Sequence, residues 1–221
     1  MKSSRPILIA AAGLLVAALT ACGTAAGTDA APATTTVTAK ASESQQKPNP
    51  YAFLPNVPSF TLTSATVKDG QPLPTAQLSG IFKVPGGTDT SPQLSWSGFP
   101  KETKSFVVSM YDPQAPTGSG FTHWVVADIP ATTTSLPANA GVPNSAALPS
   151  GAFQLNGDAG APRYVGGAPP AGSGLHEYYL TVTALDVPKS GVEATASPAL
   201  LGFSIGSHTV ARATLVCPTV G

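Results

Sequence analysis

Proline and glycine set the terms on which this chain can fold. Twenty-three prolines and 22 glycines interrupt its 221 residues. Each proline removes a backbone donor, and each glycine opens conformations suited to turns. Such punctuation points to a loop-rich β protein rather than a helical bundle. The stretches between interruptions read as strands. Ser59–Thr63 and Gln93–Ser97 alternate polar and apolar residues. Ser105–Tyr111, Phe121–Ile129, Tyr178–Leu185 and Thr209–Cys217 are rich in β-branched and aromatic residues. Lys68–Pro72 reads as a turn. One helix signal stands near the C-terminus. Ser197 offers an N-cap, Pro198 suits the first helical position, and Ala199, Leu200, Leu201 and Phe203 offer an apolar face before Gly206. The expectation is a mainly β domain of antiparallel sheets with a short helical element.

The N-terminus reads differently. Lys2 and Arg5 precede an apolar run from Pro6 to Leu19, then Leu19-Thr20-Ala21-Cys22. That is the pattern of a secretory signal, too short for a comfortable membrane span. Leu-Thr-Ala-Cys also resembles the bacterial lipobox, whose cysteine becomes the lipidated first residue of the mature protein. Residues 1–22 are therefore expected to be a lipoprotein signal peptide ending at Cys22, the lipidation site. Acyl chains such as palmitate would hold the protein on the outer, extracytoplasmic face of a bacterial cell membrane. Residues 23–50 are Ala, Thr, Ser, Gln and Pro with almost no large apolar groups, and read as a flexible tether. The folded domain is expected over 51–221. The second cysteine, Cys217, ends an apolar run and reads as a buried, inert thiol.

Charge excludes one class of partner. Eleven basic and 11 acidic residues give no net charge at pH 7, so nothing points to nucleic acid. With so few charges, polar groups at the ends of apolar strands draw notice. Tyr111–Trp124 reads YDPQAPTGSGFTHW, and Tyr164–Tyr178 reads YVGGAPPAGSGLHEY. Each joins a rigid Pro/Gly turn to a histidine. Asp112 stands where Pro113 ends the strand. His123 lies two residues into the next strand, with alternation placing it on the opposite face from Trp124. His176 and Tyr178 share a face. The glycines between 166 and 174 let backbone approach a ligand.

Together the blocks resemble the phosphatidylethanolamine-binding protein family, in its bacterial branch related to Raf kinase inhibitor protein. The first matches the family's D-P-D-x-P motif and its G-x-x-H-W segment, and the second its G-x-P-P-x-G-x-x-x-H-x-Y segment. Ser91–Trp96 is similar to S-P-x-L-x-W, and Gly202–Ala211 to the bacterial C-terminus. The resemblance spans roughly residues 58–218. It implies two antiparallel sheets with short helices and a surface pocket for phosphate-like anions or phospholipid headgroups. Asp112, His123, Pro170, His176 and Tyr178 take the ligand-binding positions. It implies a binding protein rather than an enzyme, with no metal or cofactor. Protein partners are a second possibility, since some members inhibit proteases or kinases. Three positions depart from the pattern: Gln114 replaces the second aspartate, Ala168 stands where many bacterial members carry cysteine, and Glu177 replaces the arginine of H-R-Y. Gln114 is expected to alter the charge at the pocket rim, and Glu177 an ion pair pointing away from His176.

Two chemical alternatives remain. Asp112, His123 and His176 have the composition of a two-histidine, one-carboxylate metal set. A serine hydrolase would need a nucleophile, but no G-x-S-x-G elbow is present and Ser119 lies in a G-S-G turn. His208 reads as structural.

Overall fold

The computed structural model describes residues 49–221. The signal peptide, Cys22 and residues 23–48 of the expected tether lie outside the described residues. The described strands are β1 (Thr61–Thr63), β2 (Leu94–Ser97), β3 (Ser105–Asp112), β4 (Phe121–Pro130), β5 (Ser135–Leu136), β6 (Phe153–Gln154), β7 (Leu175–Leu185) and β8 (Thr209–Val220), with helix α1 at Pro198–Ile205. They form a three-stranded sheet, β1-β2-β5, and a five-stranded sheet, β6-β4-β3-β7-β8. Every pairing between them is antiparallel.

Strand alternation explains the layering. Phe106, Val108 and Met110 of β3, Leu180 and Val182 of β7, and Ala211 and Ala213 of β8 share one face of the large sheet. They meet Leu62, Leu94, Trp96 and Leu136 of the small sheet in one buried cluster. Phe106 anchors it, with Phe99 at 4.8 Å and Trp96 at 5.4 Å, both edge-on. Burying each such side chain contributes about 1.5–3 kcal/mol. The other face carries Val107, Val125 and Leu185, which pack with Leu201 and Ile205 of α1. Both faces are covered, so β3 and β4 read as apolar runs in the sequence.

Several boundaries move. β7 begins at Leu175, paired with Val220, so His176 lies inside the strand rather than before it. β8 runs past Cys217 to Val220, and Pro218 is tolerated because β8 is an edge strand. The first strand shortens to Thr61–Thr63. β5 and β6 have two residues each, too few for a period to show. Helix α1 starts as expected, with Ser197 Oγ accepting from Leu200 N at 3.1 Å. Its apolar face does not: Leu201 and Ile205 are buried, while Leu200 and Phe203 are 52% and 86% exposed. Residues four apart share one stripe, and only that stripe meets the sheet. Cys217 is buried, and that burial pushes its thiol pKa up to about 12, which keeps it unreactive. Among the described residues no helix is long and apolar enough to cross a membrane.

Candidate functional site

Asp112 closes β3 and starts the turn that Pro113 enforces. Its Oδ1 accepts from Gln114 N at 2.8 Å and Ala115 N at 3.1 Å, which fixes the carboxylate against its own turn. Its Oδ2 lies 2.7 Å from Nδ1 of His176. Because β3 pairs with β7, the end of one strand meets the start of the other, and both side chains are buried. Two residues along β7, Tyr178 occupies the same face, its ring stacked on His176 at 6.4 Å.

His123 reaches this cluster by a local irregularity. Met110 pairs with Trp124, but Tyr111 pairs with Thr122, so His123 is the extra residue of a β-bulge. The expected placement opposite Trp124 therefore fails. Thr122 lines the outer face of the sheet beside Tyr111, and Trp124 stays in the core. The bulge turns His123 to the core side, with its ring 5.2 Å from that of Tyr178. Nδ1 of His123 lies 2.9 Å from the Val165 carbonyl. A carbonyl only accepts, so Nδ1 carries the proton and Nε2 presents a lone pair. Nε2 is buried and has no partner. Burial lowers the pKa of His123, against smaller opposing effects of the Val165 and Gly166 carbonyls, Asp112 and Asp158.

The segment before β7 supplies the remaining wall. Gly166 lies so close to Leu78 that a Cβ there would overlap the Leu78 carbonyl. Ala168 N donates to the Tyr178 hydroxyl at 3.1 Å. Burial foremost, then the charge of Asp112, raises the Tyr178 pKa, so the phenol keeps its proton as a donor. Ser173, not singled out by the sequence, sits 2.8 Å from Nε2 of His176 and 2.6 Å from the Pro170 carbonyl. The hydroxyl proton goes to the carbonyl, which cannot donate, and Ser173 Oγ then accepts from His176. The Ser173–His176–Asp112 chain thus resembles a catalytic relay in order, but its hydroxyl is turned away from the base. Asp89 was also missed. Its Oδ1 accepts from Ser79 Oγ and Gly166 N, and its Oδ2 from Ile81 N. It ties the loop carrying Phe82 and Lys83 to the second block.

All five expected residues, Asp112, His123, Pro170, His176 and Tyr178, line one cavity of about 500 Å³. Its walls are largely apolar, from Leu78, Phe82, Val84, Phe121 and Val220, with Lys83 among them. Gln114 and Glu177 do not line it. They bond to each other instead: Glu177 N donates to Gln114 Oε1 at 3.1 Å, and Gln114 Nε2 to Glu177 Oε2 at 3.4 Å. Gln114 therefore braces the Asp112 turn against β7 and leaves the pocket charge to other groups. Ala168 does line the cavity. Ser119 lines the groove on the opposite face of the sheet and is not among the residues lining the Asp112 cavity. Among the described residues no three His, Cys, Asp or Glu side chains converge as a metal set. His208 pairs with Asp186 at 3.0 Å, outside the cavity lining.

The chain is similar to known proteins. The family model described as phosphatidylethanolamine-binding protein covers residues 63–219. UPF0098 protein YbcL of Escherichia coli K12 is 43% identical over 161 residues, 73% of this chain and 87% of that protein. YbhB of the same strain is 43% identical over 156 residues, 70% of this chain and 96% of its own. A Mycobacterium tuberculosis protein named "Putative lipoprotein LppC" is 29% identical over 208 residues, 90% of each chain. The crystal structure of YbcL, described as a new member of the mammalian PEBP family, superposes with a TM-score of 0.70 at 42% identity, covering 73% of this chain and 98% of that one.

Proposed function

The chain belongs to the phosphatidylethanolamine-binding protein family, and on that premise we propose that it is a lipid-anchored, extracytoplasmic binding protein for a phosphate-like anion or phosphorylated headgroup. The buried Asp112–His176 pair carries the reading. An aspartate alone would repel an anion; here it accepts from His176 Nδ1 and fixes the ring, whose Nε2 is then the donor to the anion. An incoming oxyanion replaces Ser173 Oγ as the acceptor from His176 Nε2. Tyr178 adds its O–H, and Lys83 adds positive charge. The apolar walls suit an organic group attached to the anion.

Phosphate titration followed by phosphorus NMR tests this. We expect saturable binding that weakens from about pH 5 to 8, because the anion needs a proton on His176 Nε2, the nitrogen that faces Ser173 Oγ. Replacing both Asp112 and His176 by alanine should abolish it. Affinity that is flat across that range, or that survives in the double variant, overturns the reading. Turnover of a p-nitrophenyl ester that Ser173→Ala abolishes would overturn a purely binding role. The anchor is supported by Leu19–Cys22 and by the near full-length likeness to LppC. Cys22→Ala should move the protein from the membrane to the soluble fraction; a variant that stays membrane-bound refutes lipidation there.

A further inference from the structure

His123 offers the cavity an acceptor, which a bare oxyanion cannot use. Its Nδ1 proton is committed to the Val165 carbonyl at 2.9 Å, so its other nitrogen presents a lone pair. That nitrogen, Nε2, is buried and unpartnered, although its ring lines the cavity. Buried polar atoms in folded proteins rarely stay unpaired, and an orphan in a binding cavity marks where a ligand atom belongs. The partner it requires is a donor. The other polar groups have the opposite character: Tyr178 holds a free O–H, and His176 donates to Asp112 and Ser173.

We propose that the cavity selects phosphomonoesters in their singly protonated form, whose P–OH donates to Nε2 of His123, over sulfate esters and phosphodiesters, which have no proton to give. The two remaining phosphoryl oxygens then accept from Tyr178 and His176, and the ester group lies against Phe82, Phe121 and Val84. This rests on the anion-binding function proposed above and narrows it to one ligand class and one protonation state. Burial favours the neutral imidazole the arrangement needs. The charged and titratable groups around the ring are Asp112 at the end of β3, His176 and Tyr178 on β7, Asp158 after β6 and Lys83 before β2. Asp112 and Asp158 both favour a proton on His123, but burial outweighs them.

Phenyl phosphate and phenyl sulfate provide the test by isothermal titration calorimetry. At about pH 5 each carries one negative charge and nearly the same shape, since the second phosphate proton leaves near pH 6. They differ in the proton. We expect phenyl phosphate to bind roughly tenfold or more tightly than phenyl sulfate, the penalty for leaving a buried acceptor unpaired. That margin should shrink at about pH 8, where the monoester has lost its proton. His123→Gln, whose amide can donate or accept, should bring the two affinities together. Imidazole-nitrogen NMR of the unaltered protein gives a readout independent of that variant: the His123 Nε2 signal of the neutral ring should shift on adding phenyl phosphate. Equal affinity for the two esters at pH 5, or an unmoved His123 signal, overturns the proposal while leaving an anion site in place. Binding of neither ester at either pH overturns both readings.

Discussion

The two faces of the five-stranded sheet carry cavities of nearly equal size, about 500 Å³ at Asp112 and about 510 Å³ on the outer side. Each contains an orphaned buried nitrogen, Nε2 of His123 in the first and Nε of Arg212 in the second. Their surroundings differ. His123 sits among Asp112, His176, Tyr178 and Ser173, most of which are held by each other or by backbone. Arg212 lies half-buried under the Tyr51 ring at 4.9 Å, between apolar residues such as Val107 and Leu201, with no carboxylate bonded to it among the described residues. Volume does not separate a site from a groove. Interlocked polar groups do, because a donor or acceptor fixed in place is organised before the ligand arrives.

Removing the centre of the interlocked face should have the largest effect. Asp112→Ala strands His176 Nδ1 and two backbone N–H groups in a buried environment, and should cost about 3 kcal/mol by urea denaturation, with phosphate binding lost. Arg212→Ala on the outer face should cost about 1 kcal/mol, chiefly lost packing on Tyr51, and leave phosphate binding unchanged. If Arg212→Ala also weakens phosphate binding, the faces are coupled and the contrast fails. The brace beside the site is next. Gln114→Asp sets a second carboxylate near Glu177 and should cost about 1 kcal/mol; adding Glu177→Arg should recover most of it in a double-mutant cycle. Additive effects would mean that the two residues do not act as a pair.

What could be read in the sequence follows how local each signal is. Ser197 and Pro198 announced α1 because capping needs only three residues of context. Asp112, His176 and Tyr178 could be placed because proline ends a strand and alternation holds along a regular one. His123 was named but assigned the wrong face, because its bulge exists only in the pairing of β3 with β4. Asp89 stayed hidden because its partners span Ser79 to Gly166. Gln114 and Glu177 each stood out as departures, but their bond joins residues 63 apart and depends on strand register. Leu200 and Phe203 were misjudged because composition shows a helix to be apolar without showing which stripe docks.

Acid should test the site face selectively. Burial holds the His123 pKa below its ordinary 6.5. In the unfolded chain the imidazole takes a proton near that value, while the folded chain resists it. The neutral ring's contribution is therefore complete above pH 6.5 and declines as pH falls toward the folded pKa. Melting temperature should drop on acidification through that window, and His123→Phe should remove part of the drop. A variant with an unchanged pH profile would show that His123 titrates as it does in water, and that burial does not hold its pKa down.

The smallest expected effect probes the outer face alone. Ser197→Ala removes the cap on Leu200 N and should cost about 1 kcal/mol or less, since the position is exposed. Its consequence is local: α1 holds Leu201 and Ile205 against Val107 and Val125, on the side of the sheet away from Asp112. Phosphate affinity should stay the same within error, because no residue lining the Asp112 cavity lies on α1. Val107 nevertheless sits on β3 five residues before Asp112, so a rigid strand could carry a shift in α1 to the carboxylate. Hydrogen exchange at the Gln114 and Ala115 amides measures that directly, since both donate to Asp112. Unchanged protection there in Ser197→Ala confines the loss to the outer face; faster exchange makes the sheet a lever between its two cavities.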